Sequence, residues 1–144
     1  MNFLIFERDG DCPGRITQSN KVFEHDNYHA TLADHGYRDF VSVEYGGALD
    51  PSGYHVKKGE LIERPMMKVR VSKTTVKAGG GDAAVFRGVP KSALVEIALN
   101  DGTLIGSQRV QSDFDVPMPV PCLYKVRITL WPYKDFEVTL QGVA

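Results

Sequence analysis

The stretch Cys122-Leu123-Tyr124-Lys125-Val126-Arg127-Ile128-Thr129-Leu130 decides how this chain folds. Cys122, Tyr124, Val126, Ile128 and Leu130 alternate with Leu123, Lys125, Arg127 and Thr129. Successive side chains of a strand point to opposite faces, so this pattern gives one dry face and one wet one. The same alternation recurs on both sides of it. Ala93, Val95, Ile97 and Leu99 alternate with Leu94, Glu96, Ala98 and Asn100, and Phe136, Val138 and Leu140 alternate with Glu137, Thr139 and Gln141. Asn100-Asp101-Gly102 supplies a turn suited to positive φ, so Thr103 to Val110 returns as a hairpin partner. Trp131-Pro132-Tyr133 interrupts the pattern between two strands. Val69 and Val71 open the series, with Lys68 and Arg70 on the opposite face. About seven short strands, each with one apolar face, predict an immunoglobulin-like β-sandwich over residues 66–144.

Upstream of Arg64-Pro65 the pattern is mixed, and residues 1–65 read as a small α+β module. Phe3-Leu4-Ile5-Phe6 and Arg15-Ile16-Thr17-Gln18-Ser19 predict two strands joined by the turn-rich Asp9 to Gly14. Asp26 is placed to cap a short helix over 27–35, with Tyr28 and Leu32 on one face and Gly36 at its end. Phe40 to Tyr45 predicts a further strand, broken by Gly46-Gly47. Tyr54-His55-Val56 and Glu60-Leu61-Ile62 flank Lys57-Lys58-Gly59 as a second hairpin. The fold class is therefore mainly β: hairpins and one short helix, then a sandwich.

With 144 residues, 42% hydrophobic and 24% charged, the chain can build a globular core. No apolar run approaches the roughly 18 residues of a membrane helix, so no membrane span is expected. Met1 to Glu7 lacks the basic leader and long apolar stretch of a secretory signal, which favours synthesis in the cytoplasm. A net charge of −1 argues against a duplex nucleic-acid partner. The charge is unevenly spread: residues 1–67 carry 7 Lys/Arg and 11 Asp/Glu, net −4, and residues 68–144 carry 10 and 7, net +3. Opposite signs would let copies dock head to tail, although two ordinary solvated surfaces give the same counts.

Chemistry-bearing clusters are sparse. His25 and His29 stand four apart near Asp26 and Asp34, a spacing that can chelate a metal on one helical face. Asp26 as the cap leaves His25 outside that helix, so His25, His29 and His35 are expected to be surface residues, with no metal and no cofactor. Ala78-Gly79-Gly80-Gly81-Asp82 leads into the strand pattern Ala83-Ala84-Val85-Phe86 rather than a helix, so it reads as a turn and not as a phosphate cradle. Cys12 and Cys122 lie in unlike segments and read as a free surface thiol and a core residue. Asp101, Asp113, Asp115 and Asp135 read as turn residues and form no acid/base pair. No catalytic residue is assigned, and an enzyme is not expected. Trp131 and Tyr133 could form a sugar-binding platform, or cap the sandwich core at the Pro132 turn.

Read in order, several segments resemble small bacteriophage tail or tail-fibre-associated structural proteins with a C-terminal immunoglobulin-like domain. They are Gly14-Arg15-Ile16; the Tyr54, Val56, Gly59, Arg64-Pro65-Met66 series; the Gly80/Asp82 and Gly88/Pro90 turns; and Tyr124, Val126, Ile128 before Trp131-Pro132-Tyr133. The Gly79-Gly80-Gly81 run departs from the single turn glycine of that pattern. The resemblance implies a non-enzymatic virion protein made in the host bacterial cytoplasm. Such an adaptor or accessory piece would dock on tail, fibre or connector proteins, often as a homo-oligomer. The alternative reading is a carbohydrate-binding sandwich using Trp131 and Tyr133.

The alternation yields a direct test. Val126→Asp or Ile128→Asp should abolish folding, because an unpaired charge on the dry face costs several kcal/mol. Lys125→Ala and Arg127→Ala should each change stability by less than about 1 kcal/mol. Chemical denaturation of the four variants measures this, and equal losses in both pairs would reverse the inward face of the strand.

Overall fold

The computed structural model describes residues 2–21, 28–44 and 49–144. The chain forms two compact units, Met1–Arg64 and Pro65–Ala144. The expected cap Asp26, the expected helix start Asn27, the weighed metal ligand His25, the expected strand end Tyr45 and the expected breakers Gly46 and Gly47 lie outside the described set.

In the first unit, β1 (Asn2–Phe6) is the middle strand of an antiparallel sheet, between β2 (Ile16–Lys21) and β3 (Phe40–Val43). Both of its faces are covered. Leu4 packs with Ile16, Leu49 and Val56 on one side, while Phe3 and Ile5 meet Leu32 of helix α1 (Tyr28–Asp34) on the other. That explains why Phe3-Leu4-Ile5-Phe6 reads as an unbroken apolar run: a strand buried on both faces loses its alternation. The helix ends at Gly36, where φ is +86°, and the Tyr37 N–H donates to the Leu32 carbonyl.

A 3-10 turn η1 (Pro51–Gly53), with Asp50 accepting from the Ser52 N–H, leads into the hairpin of β4 (Tyr54–Lys57) and β5 (Glu60–Glu63). Lys58 and Gly59 both adopt positive φ, as a two-residue primed turn demands. The hairpin is held against the loop after β1 by backbone contacts: the Val56 N–H donates to the Gly14 carbonyl at 2.8 Å, and Arg15 bridges to His55. Gly14 has φ +84°, and a Cβ there would collide with the Val56 carbonyl oxygen. Only glycine satisfies both the angle and the close approach. His55 is 6% exposed as a result. Burial first, and then the charges of Lys57 and Arg64, hold its imidazole below the usual 6.5.

The second unit is a sandwich of two unequal sheets. One runs β10-β9-β12-β13-β7 and the other β11-β8-β6. The strands are β6 (Arg70–Val71), β7 (Thr75–Lys77), β8 (Ala83–Arg87), β9 (Ala93–Leu99), β10 (Leu104–Val110), β11 (Phe114–Pro117), β12 (Leu123–Thr129) and β13 (Phe136–Val143). β6 joins the short sheet and β7 joins the long one, pairing parallel to β13, so the first strands of the unit are shared between the layers. Val76, Ala84, Phe86, Val95, Val116, Val126, Ile128 and Leu140 fill the space between. The alternating side chains Ala93, Val95, Tyr124, Val126 and Ile128 are all buried, and Lys125 and Arg127 are exposed. This is the expected immunoglobulin-like arrangement.

Three contacts fix its corners. Asp82, expected in a turn, accepts from Lys73 and from the Lys77 N–H, and these bonds hold its carboxyl below the ordinary range. Asp113 accepts from the Gly88 N–H at 2.9 Å, and Gly88 (φ +73°) sits where a Cβ would strike the Lys68 carbonyl. Tyr124, 2% exposed, donates its hydroxyl back to the Val120 carbonyl four residues upstream, at 3.3 Å. This is the tyrosine corner of immunoglobulin-type sandwiches, built on the strand that crosses the centre of the long sheet. A Cβ on Gly142 would approach the same Val120 oxygen to 2.8 Å, so the corner also needs a glycine on β13. Asp115, expected in a turn, lies instead in β11, because its neighbours Phe114 and Val116 turn inward on either side of it.

Tyr124→Phe should lower the stability of the second unit by about 1–2 kcal/mol, since it leaves the Val120 carbonyl without its donor in a half-buried corner. Urea denaturation measures the loss, and a variant as stable as the wild type would remove the corner from the account. His55 generates a second expectation. Its folded pKa lies below its unfolded value, so the unfolded chain binds the extra proton. The contribution is complete above pH 6.5 and is lost as pH falls through the folded pKa. Melting temperatures recorded from pH 7.5 down to about pH 5 should therefore fall more steeply for the wild type than for His55→Gln. Parallel curves would show that His55 takes up no proton on unfolding.

Candidate interaction surface

The unequal sheets leave one side of the sandwich open. β10 ends the long sheet and β11 ends the short one, and the three residues 111–113 cross between them. Behind that crossing lies a cleft of about 340 Å³. Val95, Ile97 and Val110 of the long sheet form one wall, and Phe114 and Val116 of β11 form the other. Phe114 lies flat on Phe86, with ring centroids 4.7 Å apart, so the short sheet's wall is held by aromatic stacking. Gln108 and Asp115 also line the cleft. Val110, Phe114 and Ile97 pack against the buried core cluster but are themselves only half-buried. Next to the cleft, the β9–β10 register shifts between Leu104 and Gly106. Leu104 and Ile105 stand 53% and 51% exposed there.

The outer face of the long sheet has a different chemistry. Arg127 lies opposite Glu96 on one side and Glu137 on the other, and donates to Asp135 at 2.6 Å. The Asp135 hydrogen bond and charge, with Glu96 and Glu137 behind them, raise the guanidinium pKa further above its normal value. Lys125 pairs with Glu137 at 3.4 Å. Opposite charges face each other across three strands, which makes this face a self-neutralised, solvated wall.

The residues weighed for chemistry are dispersed. His29 packs edge-on to Phe3 and tilted against Phe40, with centroids 5.0 and 5.4 Å away. The His35 Nδ1, just past the end of α1, lies 2.8 Å from the Thr31 carbonyl of that helix. Among the described residues no group of three or more His, Cys, Asp or Glu is placed to hold a metal ion. Cys12 and Cys122 are both free thiols and half-buried, the latter packed on the sandwich core. Hydrogen bonding to Cys122, and then burial, pushes the Tyr124 phenol up. Trp131 and Tyr133 are half-buried, with Tyr133 packed on the same core, and the corner is tied down by the Lys134 N–H to Pro65 carbonyl bond. Among the described residues no helix is long and apolar enough to cross a membrane.

The sequence had no signal for the cleft, since alternation states which side chains turn inward and not which strands lack a neighbour. The nearest hint was Leu104-Ile105, two adjacent aliphatic residues directly after a turn.

No protein-family model matches the chain, and no curated protein matches it. Among solved structures it is similar to PorZ, described as an essential bacterial surface component of the type-IX secretion system of Porphyromonas gingivalis. The likeness covers 54% of this chain and 12% of that one, at 14% sequence identity and a TM-score of 0.45.

Proposed function

We propose that this chain is a non-enzymatic docking component of a virus particle, an adaptor or accessory piece of a bacteriophage tail or tail fibre. The observation that carries the docking part is the open side of the sandwich. There a seven-residue edge strand, an apolar cleft and two exposed aliphatic residues lie together. Free edges pair with strands of other chains, and a neighbouring apolar trough gives specificity to that pairing. The particle part rests on the resemblance. Several residues that carry it have architectural roles: Gly14 and Gly88 permit close backbone approaches, Gly59 closes the β4–β5 turn and Tyr124 makes the corner. A likeness located at such positions concerns the fold as a whole rather than composition.

Half-burial of Trp131 and Tyr133, and the packing of Tyr133 on the core, favour a supporting role for this pair over a sugar platform. The role is tested by quantitative mass spectrometry of particles produced from the genome that encodes this chain. It is expected at fixed stoichiometry with the tail proteins. Absence from washed particles, together with glycan binding that Trp131→Ala removes without loss of fold, would replace this reading with the carbohydrate-binding one.

A further inference from the structure

The two sheets of the sandwich carry their surface charge differently. On the long sheet the sign alternates across strands, with Arg127 between Glu96 and Glu137 and Lys125 paired to Glu137. On the short sheet Arg70 of β6 stands directly opposite Arg87 of β8. Their neighbours Val71 and Phe86 turn into the core, so both arginines leave the outer face together, from Cβ atoms about 5 Å apart. Lys68 joins them. Met67 and Val69 on either side of it pack on the core, and its carbonyl lies against Gly88, the residue after Arg87. All three residues are exposed, and among the described residues none of their side chains has an ion pair or a hydrogen bond. The other arginines of this unit are both engaged, Arg109 on the Ser92 carbonyl and Arg127 on Asp135. Two carboxylates border the cluster without neutralising it. Asp113 accepts from the N–H groups of Gly88 and Val89, and Asp115 stands opposite Val85 rather than Arg87.

We infer that Arg70, Arg87 and Lys68 form a binding site for a compact, doubly charged oxyanion of the phosphate type. Like charges set directly opposite each other across a strand pair repel, and an anion between them turns that repulsion into attraction. The class of anion follows from charge and shape. A carboxylate carries one charge and is fully engaged by the fork of a single guanidinium, which leaves the second arginine unrelieved. A tetrahedral dianion offers oxygens to both forks and keeps one for the Lys68 ammonium. A long polyanion suits the surface less well. Asp113 and Asp115 bound the cluster on the β11 side, and β6 is the last strand on the other, so the cationic area is about one anionic group wide. β6 and β11 lie at opposite edges of the short sheet, which sets this site apart from the β10 cleft. The inference goes beyond the docking role and does not depend on it.

Nuclear magnetic resonance titration of the full chain tests the site, with sodium phosphate added against sodium chloride of matched ionic strength. The amide signals of Arg70, Val71, Arg87 and Gly88 should shift saturably, with a dissociation constant on the order of 1 mM. Arg70→Gln and Arg87→Gln should each weaken binding at least about tenfold, and Lys125→Gln on the long sheet should leave it unchanged. Acetate should bind at least about tenfold more weakly than phosphate, since it can satisfy only one fork. Phenyl phosphate separates the sources: binding equal to that of inorganic phosphate supports a group carried on a small ester, and preference for inorganic phosphate supports the free ion. Melting curves give an independent readout. Without phosphate, Arg70→Gln should melt no lower than the wild type, because the substitution removes a repulsion, and added phosphate should raise the melting temperature of the wild type alone. A wild type with no saturable shift beyond that in chloride overturns the inference, as does acetate binding as tightly as phosphate. Undiminished binding by the two arginine variants, or an equal loss in Lys125→Gln, also overturns it.

Discussion

Five strands stand opposite three in the sandwich, and most of what is distinctive about the second unit follows from that mismatch. β12 lies in the centre of the long sheet, paired on both sides, and Tyr124, Val126 and Ile128 bury completely beneath it. That is where the short sheet can cover it. Towards β10 the cover runs out, and burial falls from Ala93 and Val95 to the half-exposed Ile97 and Leu99 along β9 itself. A single strand can therefore be anchored in a dry core at one end and form the wall of a cleft at the other. The apolar residues of the cleft serve two purposes: they extend the core, and they leave an apolar wall beside a free edge.

The first unit solves a different problem, that of burying a core with very little chain. It places one strand, β1, between two layers, so that Leu4 serves one cluster while Phe3 and Ile5 serve another. The layer over Leu4 is a hairpin whose backbone must come within hydrogen-bond range of the preceding loop, and Gly14 makes that approach sterically feasible. Burial of His55 is a side effect of the same docking, which places a titratable ring where its charged form is disfavoured. Small units have little surplus stability, so one such group can weigh on their behaviour in mild acid.

What the sequence made legible was the facing of side chains within strands. Lys125 and Arg127 outward, Val126 and Ile128 inward, and the turn at Asp101-Gly102 could all be read from residues in order, because period and turn chemistry are local properties. The Gly36 stop and the Lys58-Gly59 turn belong to the same class. Asp115 was misplaced because a carboxylate between aromatic and aliphatic neighbours resembles a turn residue until its strand partner, Val85, is known. Nothing local could show that β7 runs parallel to β13, or that Tyr124 reaches back to Val120. Those facts depend on which segments meet in space. The open side is invisible for the same reason: Leu104 to Val110 reads as an ordinary half-buried strand whether or not another strand lies beside it.

Charge offers a competing account of how such a chain would find its partners, since residues 1–67 and 68–144 differ in sign. The geometry weakens that account at the one broad face where it could be tested against neighbours. On the outer surface of the long sheet the acidic and basic groups are already satisfied among themselves, with Arg127 set among Asp135, Glu96 and Glu137. Exposed pairs of this kind contribute at most about 1 kcal/mol and are screened by salt, so exchanging them for contacts with another protein gains little. A strand edge is different. Its outward N–H and C=O groups have no neighbouring strand of the sheet to bond, and the apolar side chains beside them gain by leaving water. Long-range charge can speed an encounter, but the register of the resulting contact must come from directional bonds and from the order of side chains along β10. The one charged side chain of that strand, Arg109, is bound to its own domain, so the edge presents mainly backbone and aliphatic surface, which fits another extended chain better than a charged face.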